Sequence, residues 1–86
     1  MVPHADWDHQ LTRVVVPTHG SSLHTLADAR DYIVALSPGL QHQEDWRRTE
    51  DLLRVAAESG KATDIQQATF QLELALAMHK QLAGRG

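Results

Sequence analysis

Residues 11–25 read LTRVVVPTHGSSLHT, and the reading of this stretch decides the fold. Leu11 to Val16 is rich in β-branched residues, which are stiff at χ1 and fit a pleated backbone, so it is expected to form a strand. Pro17 ends the ladder because it has no N–H to donate. A lone strand leaves backbone groups unpaired, and the nearest partner is Ser22 to Thr25, reached across a bend in which Gly20 can take positive φ. Residues 11–25 are therefore read as an antiparallel β-hairpin. Strict alternation puts Val14 and Val16 on one face and Leu11, Arg13 and Val15 on the other, and the Val14/Val16 face is expected to pack inward with Leu23.

Everything after the hairpin reads as helix. Thr25 can cap a first helix over about 26–36, with Asp28 placed to meet the free N–H groups, and Leu26, Ala29, Ile33 and Leu36 form one stripe. Ser37, Pro38 and Gly39 break it. A second helix is expected over about 43–59, with Trp46, Thr49, Leu53 and Ala56 on one face, Leu52 and Ala57 widening it, and Gly60 as its left-handed stop. Glu44 precedes Arg48, and Glu50 precedes Arg54, by the four residues that favour ion pairing along a helix.

The third helix, expected over about 63–82, opens with Thr63 and Gln66 at capping-box spacing. Its apolar residues fall on two nearly opposite sides. Ile65, Ala68, Leu72, Ala75, Leu76 and Leu82 form one; Phe70, Leu74, Ala77 and Met78 form the other. A helix apolar on two sides has to be covered on both. Either this helix is central, between the hairpin and the other helices, or the Phe70/Leu74/Ala77/Met78 face is an interface to a second copy or another protein.

The fold class that follows is α+β, predominantly helical, with an N-terminal antiparallel hairpin packed on a three-helix unit. Residues 1–10 are expected to be a disordered arm with Trp7 as the residue most suited to anchor it, 11–83 a single small domain, and 84–86 a frayed tail. The order of elements, with RVVV at 13–16, a short glycine bend, TLADARDYIVAL at 25–36, Trp46 early in the second helix and IQQATFQLELA at 65–75 after a glycine turn, resembles a family of small alphaproteobacterial domains of unknown function. That resemblance implies a hairpin on three helices, with no activity and no site residues attached.

Composition narrows the function classes. The 86 residues suffice for one modest core, and four aromatics leave little to line a deep cleft. The chain has no cysteine, which excludes disulfides and thiolate metal sites. A net charge of −3 argues against general nucleic-acid or anionic-membrane binding. The opening MVPHADWDHQ lacks the pattern of a secretory signal, and no apolar run approaches the roughly 20 residues of a membrane span, so a cytoplasmic location is expected.

Six histidines are the sharpest chemical candidate. His4 and His9, and His19 and His24, with Asp6 and Asp8 nearby, suggest a histidine-ligated zinc or nickel site, but an i,i+5 spacing places two imidazoles on one face of neither a helix nor a strand. Surface histidines are the expectation, with His79 partly buried or capping near a helix C-terminus and His42 solvated. Arg47, Arg48 and Arg54 are the one basic grouping, and acids among them cancel its field. Ser21, Ser22 and His24 are close in sequence without a triad's arrangement. No catalytic residue, cofactor or small-molecule substrate is expected. The expected function is a non-enzymatic protein-interaction or regulatory module using the Phe70/Leu74/Ala77/Met78 face or the hairpin edge; a metal-responsive protein and a weak nucleic-acid binder are the alternatives.

Overall fold

The structure is a computed structural model that describes residues 6–18, 20–36, 39 and 42–79. Two strands, β1 (Gln10–Val15) and β2 (Leu23–Thr25), pair antiparallel and are followed by three helices, α1 (Leu26–Val34), α2 (Glu44–Ser59) and α3 (Ala62–Met78). The α+β hairpin-and-helix architecture is as expected. Residues 1–5, the tail at 84–86 and the helix end at Leu82 lie outside the described residues.

The inward face of the hairpin is the opposite of the one expected. Leu11, Val15 and Leu23 are buried, whereas Val14 and Val16 are exposed. Gln10 pairs with Thr25 and Val15 with Leu23, so β1 carries more residues than β2 between the two pairings and the register shifts within it. A run of three valines carries no information on which side of the sheet the core lies. That is set by α3, which packs on β1, and by α1, which packs on β2. Arg13 shares the parity of Leu11 and Val15 yet keeps its charge in solvent by reaching the Glu73 carboxylate at the margin of α3.

Residues 6–9, expected within a disordered arm, are held by backbone hydrogen bonds. Asp6 N–H donates to the Ala57 carbonyl (2.8 Å), Leu26 N–H to that of His9 (2.9 Å) and Ala27 N–H to that of Trp7 (2.9 Å). Trp7 packs against the core, and the Arg30 guanidinium lies 4.6 Å from its ring centroid. The segment thus shields the start of α1 and the end of α2.

Thr25 and Asp28 form the full capping box of α1, and Leu26, Ala29 and Ile33 are its buried stripe. On α2, Trp46, Thr49, Leu53, Ala56 and Ala57 are buried, and Gly60 closes the helix at φ 68°. A Cβ there would meet His9 Nε2 at 3.0 Å, so Gly60 meets both a backbone and a space requirement. Arg54 reaches Asp51 (3.0 Å), not the Glu50 expected from spacing. The Thr63/Gln66 capping box does not form. The N-cap of α3 is Lys61, and Ser59 organises the α2–α3 turn by donating its hydroxyl to Asp64 (2.6 Å) while accepting the Lys61 N–H (3.1 Å).

Helix α3 contacts both α2 and β1 along one buried side made of Ala68, Thr69, Gln71, Leu72, Ala75 and Leu76. Both partners therefore meet on a single face, and the other apolar face has no described element over it.

Candidate interaction surface

The uncovered face of α3 carries Phe70, Leu74 and Met78, 61%, 41% and 60% exposed, with Ala77 exposed beside them. These four are the residues singled out from the sequence, and the structure brings them together on the solvent side of one regular helix. Phe70, Leu74 and Met78 follow one another at intervals of four and so form a single ridge along the helix. A groove of about 420 Å³ runs beside Phe70 between α2 and α3, lined by Arg48, Leu52, Gln66, Gln67 and Gln71 in addition.

Along α3 itself the polar border of the ridge is close to neutral, and Arg48 of α2 is the cation beside Phe70. Gln66 and Gln67 are uncharged, and Glu73, at the β1 side, is engaged by Arg13, whose Nε donates to the carboxylate at 2.9 Å and whose second guanidinium nitrogen makes a further bond to the same group. Hydrogen bonding and charge attraction from Glu73 raise the Arg13 pKa above its usual value. The pair therefore removes the one acidic charge of the exposed half of α3 between positions 66 and 78.

The second candidate, the hairpin edge, is blunted on both sides. On β1, the Thr12 N–H donates to Thr69 Oγ1 (3.1 Å), while the same hydroxyl donates to the Ile65 carbonyl (2.8 Å). On β2, the Asp28 carboxylate accepts the N–H groups of His24 (2.9 Å) and Thr25 (3.3 Å). Three of the hairpin's backbone donors, those of Thr12, His24 and Thr25, are thus occupied by side chains and not open to an added strand. Neither role was read from the sequence. Asp28 is visible there as a cap, but nothing near Thr69 signals that its hydroxyl closes a strand 57 residues away.

The histidines are spread over the molecule. His9 lies over Gly60 with Nε2 3.6 Å from Asp6 Oδ2, and the exposed His24 sits on β2. His4 and His19 lie outside the described residues. Among the described residues, no group of three or more His, Asp or Glu is placed to hold a metal ion. His79 is the C-cap of α3; its ring stacks on Trp46 with centroids 5.6 Å apart, and its Nε2 lies 3.5 Å from Asp45 Oδ2. Trp46 is fully buried and also meets Tyr32 at 6.1 Å, and partial burial raises the Tyr32 phenol pKa. This aromatic cluster ties α1, α2 and the end of α3 together.

Arg47, Arg48 and Arg54 are exposed on α2 among Glu44, Glu50 and Asp51. A broad depression of about 630 Å³ beside Arg47 and Arg48 is also lined by Glu44, Asp51 and His42, so both signs of charge face it. No described helix is long and apolar enough to cross a membrane. Comparison with family models, with curated proteins and with solved structures gives no match to this chain.

Proposed function

We propose that this chain is a non-enzymatic interaction module that docks through the Phe70/Leu74/Ala77/Met78 face of α3. The observation that carries the reading is the pairing of one fully buried side of α3 with a second apolar side left in water. The large side chains of Phe70 and Met78 lie outside the buried core. Moving their exposed portions out of water stabilises a complex by roughly 1–2 kcal/mol each. The helix is already formed, so docking costs little backbone entropy. Met78 adds a pliable contact at one end of the ridge, where an imperfectly matched surface can still be filled. The resemblance to small alphaproteobacterial domains belongs to the same proposal and adds a fold without an activity.

The test is Phe70→Asp, compared with wild type for capture of partners by the tagged chain, its own copies included. The variant is expected to keep its far-UV circular dichroism and to lose the captured species. Unfolding of Phe70→Asp would place the face in the core, and unchanged capture would move the docking surface elsewhere.

A further inference from the structure

Resting on that reading of the α3 face, we infer that its partner is a second copy of this chain, with the two α3 helices antiparallel across a two-fold axis at Leu74. The ridge is symmetric about its middle residue: Phe70 lies four positions before Leu74 and Met78 four positions after it. Reversing the helix about Leu74 therefore superimposes the pattern on itself. Leu74 meets Leu74 of the other copy, and Phe70 meets Met78 twice, a sulfur–aromatic contact of the favourable kind. Ala77 presents only a methyl group beside the ridge, which lets the second helix approach to ordinary interaxial distance.

Charge supports the same occupant. In an isologous contact each residue near the axis faces its own kind, so a charged face repels itself. Here Gln66 and Gln67 are neutral, Arg13 engages the Glu73 carboxylate, and Arg48 lies beside Phe70 at one end of the ridge, which the two-fold sets against the Met78 end of the other copy, so like charges do not oppose each other across the axis. A strongly acidic or basic protein partner would find no complementary field on this face. The three ridge side chains expose on the order of 300 Å² per copy, short of the roughly 800 Å² of a stable complex, which places the dimer in the weak, exchanging class.

The chain has no cysteine, so a single introduced thiol reports without background. Leu74→Cys sits on the axis and is expected to oxidise to a dimer of twice 9.6 kDa. Phe70→Cys alone is expected to stay monomeric, since antiparallel packing sets the two copies of that residue about 12 Å apart along the axis, beyond disulfide reach. Mixing Phe70→Cys with Met78→Cys restores cross-linking. Leu74→Cys that links no faster than Val55→Cys, an exposed control on α2, overturns the arrangement, as does self-linking of Phe70→Cys at the Leu74→Cys rate. In sedimentation equilibrium the wild-type average mass rises toward the dimer as concentration approaches about 1 mM, the range of a weak interface, and Phe70→Asp stays at 9.6 kDa. Wild type held at 9.6 kDa throughout removes the second copy as partner, while loss of partner capture by Phe70→Asp, measured separately, decides the docking face.

Discussion

Replacing Thr69 by Val removes one oxygen and leaves the shape of the side chain nearly unchanged, so its effect isolates the hydrogen bond that joins β1 to α3. Thr69 is fully buried, and its hydroxyl is the acceptor for the Thr12 N–H at 3.1 Å. The Ile65 carbonyl at the other end of that hydroxyl sits within the helix and retains the ordinary helical bond, so its loss costs little. The Thr12 N–H has no such reserve and is left without its acceptor. An unsatisfied buried donor costs about 1–3 kcal/mol, and the exposed position of Thr12, which lets water replace part of the bond, sets the expectation at the lower end, about 1–2 kcal/mol. For a domain of this size that corresponds to a fall in Tm of roughly 4–15 °C. Thermal unfolding followed by circular dichroism measures the loss, and amide hydrogen exchange at Thr12 locates it. Thr69→Ser keeps the acceptor and is expected to retain Thr12 protection while losing some packing. A Thr69→Val chain with wild-type Tm and wild-type protection at Thr12 would refute the strand-to-helix bond as a stabilising contact.

Gly60→Ala is expected to destabilise by about 1–2 kcal/mol, from the positive φ together with the close approach of His9. Adding His9→Ala recovers the steric part of that loss and not the backbone part, which a double-mutant cycle in denaturant separates. Tyr32 is the one tyrosine in the chain, so its ionisation can be followed by ultraviolet absorbance without overlap from another phenol. Burial raises its pKa in the folded protein. The unfolded chain therefore loses the proton first, and stability falls as pH rises above about 10. Coincident phenol titrations with and without denaturant would contradict this.

Much of the fold can be read from local chemistry. Thr25 and Asp28 are three residues apart, a spacing whose hydrogen bonds close within one turn, and the capping box forms as expected. Gly60 follows the last buried pair of α2 and takes the left-handed conformation that its lack of a Cβ permits. The Trp46, Thr49, Leu53, Ala56 stripe is a property of helical period alone. The start of α3 is not legible in the same way: Thr63 and Gln66 satisfy a spacing rule without forming the box, whereas Ser59 and Asp64, on opposite sides of the turn, meet only when α2 and α3 fold back on each other.

The candidate site divides in the same way. The sequence contains the two apolar sides of α3 and names Phe70, Leu74, Ala77 and Met78 as one of them, because periodicity is a relation between neighbours on one helix. It cannot rank the two sides, since either could have been the one turned toward α2 and β1. The choice between Leu11/Val15 and Val14/Val16 is of the same kind: alternation defines two faces of a strand, and the position of a helix many residues away selects which is dry. Composition, periods, caps and stops act over a few residues and are written locally. Which surface stays in water follows from how distant elements pack, and among the described residues that packing leaves the second side of α3 outside the core.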